Sequence, residues 1–127
     1  MALTKENTGA LAVVKADGYG HGDVAVAKAV AQKVTGYAVA TLDEAVNLRE
    51  NGVKKPILVL GYVDPYEFDI LVSHEITATV FDVETAQLLA DAARVQKKQA
   101  HCHIKVDTGM RRIGLEPDEN GIAIVKQ

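Results

Sequence analysis

Five times along the chain, a short apolar run gives way to a turn signal and then to a stretch with helical spacing. That alternation is the strongest limit on the fold. Leu11–Ala16 reads as a buried strand, followed by a glycine-rich turn from Asp17 to Gly22. Asp23–Val34 reads as a helix with Val24, Ala27, Ala31 and Val34 on one side. Tyr37–Thr41 is a second strand, and Thr41 can cap a helix that runs to Asn51 and stops at Gly52. Pro56–Leu60 is a third strand. After it, Asp64 and Pro65 supply an N-cap and a first-turn proline for a helix to about Ser73. Ile76–Val80 is the fourth strand, and Asp82 caps a long helix through about Gln96. Ala100–Val106 is the fifth strand, and Asp118–Gln127 reads as a last helix.

Five β-then-α units with short connections predict parallel strands and right-handed crossovers. Two architectures satisfy the pattern: an open doubly wound sheet, or part of an eight-stranded α/β barrel. In both, ligands sit at the C-terminal ends of the strands. The two segments richest in chemistry, Lys15–Gly22 and Lys105–Gly114, lie at such ends. Five units cannot close an eight-stranded barrel, so the chain reads as truncated relative to one. Its edges at Leu11–Ala16 and Ala100–Val106 would then be unpaired, and such edges recruit other chains. A dimer or larger oligomer is expected, with Val13, Val39, Leu58 and Ala78 on an inner face that meets water unless a partner covers it.

Composition narrows the function classes. The 127 residues suit one domain, and 48% hydrophobic residues suffice for a core. A net charge of −3 with scattered lysines and arginines predicts no nucleic-acid partner. Cys102, the one cysteine, cannot form an internal disulfide and suits a reducing compartment. It is expected to be a small buried hydrophobe. Residues Met1–Asn7 carry charge where a signal peptide needs apolar residues. No apolar run approaches the roughly 18 residues of a membrane helix. A soluble, cytoplasmic protein without a membrane partner is expected.

A lysine in a buried strand is unusual, because an unpaired ammonium is costly among apolar groups. Alternation puts Leu11, Val13 and Lys15 on one face, with Lys15 emerging at the strand's functional end. Burial favours the neutral amine, the form that attacks an aldehyde. Gly18, Gly20 and Gly22 let the backbone turn sharply beside a ligand, although their spacing is not a dinucleotide fingerprint. On these residues alone, Lys15 reads equally as a side chain snorkelling from a strand end. The full string Ala12-Val-Val-Lys-Ala-Asp-Gly-Tyr-Gly-His-Gly22 closely resembles the lysine motif of the alanine racemase family, whose members use pyridoxal 5'-phosphate (PLP). The resemblance implies that Lys15 is the Schiff-base lysine and that Tyr19 contacts the cofactor phosphate. It suggests a supporting role for His21, whose simpler reading is a hydrogen-bonded turn histidine.

In the fifth strand, alternation sets His101, His103, Lys105 and Asp107 on one face and Cys102, Ile104 and Val106 on the other, against the helices. A polar face suits a cofactor pocket better than a closed core. His101 and His103 lack a matched third ligand, so no metal site is predicted. Lys105-Val-Asp-Thr-Gly-Met-Arg-Arg-Ile-Gly114 is a second resemblance to the same family, ninety residues on from Lys15. It implies that Lys105 is open to carbamylation and that its end then orients Arg112. It places Arg112 near the cofactor's phenolic oxygen and the substrate carboxylate, and Met110 close to that carboxylate, with a backbone N–H to lend. Arg111 departs from the small or polar residue usual there. Arg112 is therefore assigned on its spacing from Lys105, the other reading being that either arginine is a surface charge.

Together the motifs imply a partial (β/α)8 TIM-type barrel. Residues 1–127 would form an incomplete N-terminal PLP-binding domain, without the later barrel units or the C-terminal β domain. The implied reaction is the PLP-dependent interconversion of L- and D-alanine by a homodimer, with the second base a tyrosine from the partner's C-terminal domain. Tyr19, Tyr37, Tyr62 and Tyr66 all lie in the barrel portion, so this stretch alone is expected to be inactive. Two alternatives stay open: a non-catalytic half-barrel, natural or engineered, that oligomerises, and a serine racemase of the same family.

Overall fold

The computed structural model describes residues 8–126. Five strands form one sheet: β1 Leu11–Val13, β2 Gly36–Val39, β3 Ile57–Val59, β4 Thr77–Val80 and β5 His101–Ile104. Each lies at an expected apolar run and is shorter than that run. The sheet order is β1-β2-β3-β4-β5, with every neighbouring pair parallel. A doubly wound sheet reverses its order at a switch point, and this sheet does not. The arrangement is a five-strand arc of a (β/α)8 barrel.

The helical elements are α1 Lys15–Gly20, α2 Asp23–Val30, α3 Leu42–Glu50, a 3-10 turn Pro65–Glu67 leading into α4 Phe68–Ser73, α5 Val83–Val95 and α6 Glu119–Val125. The expected caps form: Thr41 Oγ1 accepts from Glu44 N, Asp64 Oδ1 from Tyr66 N and Asp82 Oδ1 from Thr85 N. Helix α2 ends at Val30, short of the expected Val34. Lys55 Nζ donates to Ala31 O at 2.6 Å and also to Val34 O, satisfying carbonyls of the segment that follows the helix. The segment Met1–Asn7 and the expected helix end at Gln127 lie outside the described residues.

The core lies between sheet and helices, where Tyr37, Val39, Ile57 and Val59 meet Leu48, Phe68 and Leu71. The Tyr37 hydroxyl donates to Ala27 O at 2.7 Å, and burial raises its pKa. Register sets Val13, Ala38, Leu58 and Thr77 in one row on the inner face. Val39 and Ala78, expected inside, therefore pack on the helix side. A one-residue difference in register exchanges the two faces, and alternation within a single run does not reveal it. Nor is the inner face wet throughout. Val13 is 41% exposed on the edge strand β1, but Ala38 and Leu58, on the interior strands β2 and β3, are buried at 2% and 8%.

All four residues of β5 are exposed, so Cys102 is not the buried hydrophobe expected. Ile104 and Val106, expected against the helices, are also exposed. β5 is the edge strand, and α5 flanks it on one side only. Cys102 and Ile104 line an open apolar groove with Val83 and Ala86 of α5 and Ile124 and Val125 of α6.

At the opposite end of the sheet from the candidate site, Arg49 of α3 gathers four backbone carbonyls. Its guanidinium donates to Val53 O at 2.6 Å, His74 O at 2.9 Å, Glu75 O at 3.0 Å and Lys55 O at 3.1 Å. Burial lowers its pKa, and the nearby Glu75 carboxylate opposes that effect.

Candidate active site

Beyond β1 the ladder continues one residue, as Val14 N donates to Ala38 O at 2.9 Å and the Val14 side chain is buried in the core. Lys15, half-buried rather than enclosed, opens the next turn. From Ala16 to Tyr19 that turn is left-handed, with φ between 51° and 61°. Gly18, Gly20 and Gly22 have positive φ, as their placement predicts. Ala16, Asp17 and Tyr19 share the left-handed region and each carries a steric cost of about 1–2 kcal/mol.

Several hydrogen bonds hold this strained turn. Gly18 N donates to Val14 O at 3.0 Å, Gly22 N to Asp17 O at 2.8 Å and Asp23 N to Asp17 Oδ1 at 3.1 Å. Helix α3 grips it as well: Ala16 N donates to Glu44 Oε1 at 2.7 Å, and Asn47 Nδ2 donates to Asp23 Oδ2 at 2.9 Å. The Tyr19 side chain is 61% exposed at the rim. His21 is also exposed, and its backbone N–H donates to Gly18 O at 3.2 Å. At Gly18 an added Cβ would lie 3.1 Å from Asp23 N and 3.2 Å from its Cα. Gly18→Ala is expected to lower stability by about 1–3 kcal/mol, the range for overpacking against a site that must shift. Urea denaturation measures this.

The second segment is a closed loop. Lys105, half-buried, donates its N–H to Val80 O at 2.8 Å and accepts from Leu115 N at 2.9 Å, while Asp107 N donates to Leu115 O at 2.8 Å. Inside the loop Asp107 Oδ1 accepts from Gly109 N at 2.8 Å and Arg111 N at 3.0 Å, and Oδ2 from Arg112 N at 2.9 Å. These donors, Gly109 foremost, hold the Asp107 carboxyl below its ordinary pKa. A depressed carboxyl adds stability that is complete above its ordinary pKa and is lost as pH falls through the lower folded value. Amide exchange at Gly109, Arg111 and Arg112, taken relative to its base-catalysed intrinsic rate, is therefore expected to quicken only in acid, below the ordinary carboxylate range. Asp107→Asn should quicken it already at neutral pH. Met110 is 75% exposed, Arg111 adopts φ 54°, and Arg112 is exposed.

Both segments sit at C-terminal strand ends, on the first and last strands of the arc. Four strand steps separate them, about 19 Å along a flat sheet and less across a curved one. Lys15 and Tyr19 share one turn, and Lys105, Met110 and Arg112 share one loop.

The sequence profile described as alanine racemase, N-terminal domain, matches residues 1–127. The chain belongs to the alanine racemase family. Alanine racemase 1 of Oceanobacillus iheyensis is 45% identical over 122 residues, covering 95% of this chain and 32% of the relative. The alanine racemase of Desulforamulus reducens is 48% identical over 114 residues, covering 89% of this chain and 31% of the relative. Among solved structures, the alanine racemase of Clostridium difficile matches with a TM-score of 0.93 at 40% identity, over 97% of this chain and 32% of that one. The histidine racemase of Leuconostoc mesenteroides matches with a TM-score of 0.83 at 31% identity, over 91% of this chain and 32% of that one. This chain thus spans about a third of the length of the alanine racemases it matches.

Proposed function

We propose that this chain is the cofactor-lysine-bearing part of a PLP-dependent alanine racemase, with Lys15 as the lysine that holds the cofactor. The observation that carries the reading is the position of Lys15. It is the first residue of a strained, strapped turn at the C-terminal end of β1, in a chain 45% identical to an alanine racemase. The donor set suits PLP. Lys15 offers a primary amine for the aldehyde, Tyr19 a phenol on the same turn for the phosphate, and Arg112 a guanidinium for a carboxylate or phenolic oxygen. The turn is also open, since no atom lies within 4 Å of where a Cβ on Gly20 would sit.

When bound, PLP supplies a sink for the electron pair left at Cα as its proton departs. Lys15 accepts that proton from one face of the substrate, or supplies one to the same face in the reverse direction, while a second base serves the opposite face. Arg112 presents its fork of donors to the substrate carboxylate, a pairing stronger than a neutral hydrogen bond. Met110 lends its backbone N–H beside it, and Lys105, once carbamylated, orients Arg112 with a carboxylate. The second base and the remaining cofactor contacts are assigned to other parts of a homodimeric parent, which acts in the cytoplasm on a small amino acid. Alanine is favoured by the curated relatives at 45% and 48% identity. A histidine racemase shares the same barrel portion at 31% identity, which supports side-chain choice being made mostly outside this stretch.

PLP titration with and without Tyr19→Phe tests the reading. Loss of one hydrogen bond to a charged phosphate is expected to weaken binding about tenfold. Equal affinity for the two proteins would contradict the role given to Tyr19.

A further inference from the structure

The left-handed turn after β1 is gripped at both ends by one helix. At its start, Ala16 N donates to Glu44 Oε1 at 2.7 Å. At its finish, Asp23 takes Asn47 Nδ2 on one carboxylate oxygen at 2.9 Å, while its own N–H donates to Asp17 Oδ1 at 3.1 Å. Glu44 and Asn47 are three residues apart on α3 and so lie on the same helix face. The other Glu44 oxygen accepts from Ala40 N at 2.7 Å and Thr41 N at 3.3 Å, completing a capping box with Thr41. One carboxylate therefore joins the end of β2, the start of α3 and the residue immediately after Lys15.

We infer that Glu44, with Asn47 one turn on, is a positioning residue for the Lys15 amine, fixing the direction in which Lys15 leaves the strand. The inference rests on Lys15 being the cofactor lysine. Left-handed backbone at Ala16, Asp17 and Tyr19 does not persist by its own preference and needs the surrounding structure to impose it. A helix cap alone requires only the Thr41 side of the box. The second Glu44 oxygen is instead directed to the neighbour of Lys15, and the adjoining Asn47 link does nothing for the cap.

Glutamine is the informative substitution at Glu44. It keeps one acceptor oxygen and turns the other into an N–H donor, which would face a backbone N–H. The experiment measures three things on the intact chain: the rate of borohydride-trapped PLP labelling at Lys15, the amide exchange of Ala16, and thermal stability. E44Q is expected to slow labelling by up to about a hundredfold, the scale of effect of a reacting group displaced by ~1 Å, and to remove protection at Ala16. N47A should slow labelling in the same direction with the cap intact, and it decides the matter by itself if E44Q does not fold. Thr41→Ala, which weakens the cap but leaves the Ala16 link, should lower stability and label at the unaltered rate. Labelling of E44Q and N47A at the unaltered rate would overturn the inference, as would an equal slowing in Thr41→Ala. Absence of Lys15 label in the unaltered protein would instead overturn the cofactor assignment, and Ala16 protection that survives in E44Q would still overturn the brace.

Discussion

Replacing Lys15 with alanine is expected to abolish covalent capture of PLP while leaving the fold in place. The two effects separate because Lys15 is half-buried at the start of a turn, whereas the adjoining core position is the buried Val14. The backbone bonds that close the turn run through Val14, Ala16, Asp17 and Gly18, and none needs the lysine side chain. Truncating such a side chain costs within about 0.5 kcal/mol when no buried partner is left behind. Capture is different in kind, since only a primary amine at that point can join the aldehyde. Lys15→Arg keeps the charge and loses the nucleophile, so it should fail to capture as fully as alanine does. Intact mass after borohydride reduction, with thermal melting alongside, reads both effects. An adduct of undiminished yield in either variant would contradict the assignment.

Arg49→Met is expected to have the largest effect on stability, a loss of about 2–4 kcal/mol in chemical denaturation. The guanidinium serves four carbonyls, on Val53, Lys55, His74 and Glu75, and so ties the end of α3 to the segments that lead into β3 and β4. Methionine fills similar space but leaves those acceptors to find water where the chain is partly enclosed, and unmet buried polar groups cost more than the bond itself contributes. Lysine cannot substitute, because an ammonium lacks the planar five-donor fork. The site lies at the other end of the strands, so PLP capture per folded molecule should be unchanged. A loss below about 0.5 kcal/mol would mean that solvent satisfies these carbonyls as well as Arg49 does.

How much of this was legible in the sequence differs by level. Strand positions and the caps at Thr41, Asp64 and Asp82 could be read because they depend on neighbours in sequence: an apolar run, or an acceptor side chain ahead of a helix. The family could be read because Lys15 and Tyr19 sit in an eleven-residue string of mixed chemistry. The faces of Val39 and Ala78 could not be read, since they depend on register between strands that are distant in sequence. Cys102 was misread for a related reason. Alternation assigned it to a helix-covered face, but cover at the edge strand depends on where α6 lies, and β5 remains open there.

At the site, the glycines announced a turn, but three non-glycine residues joining it in left-handed backbone had no signal in composition. Glu44 and Asn47 were missed outright. Glu44 did leave a trace, as Thr41-Leu-Asp-Glu44 has capping-box spacing, but its second oxygen reaches a residue 28 positions away. Asn47 left none, because its partner Asp23 is 24 positions away and reads simply as a helix start.

The most direct test of the central claim is to find which lysine PLP joins. The intact chain is incubated with PLP, reduced with borohydride and digested, and the modified peptide is mapped by mass. The assignment predicts label on Lys15, with competing alanine lowering the yield there. Label confined to another lysine, with Lys15 unmodified, would contradict it.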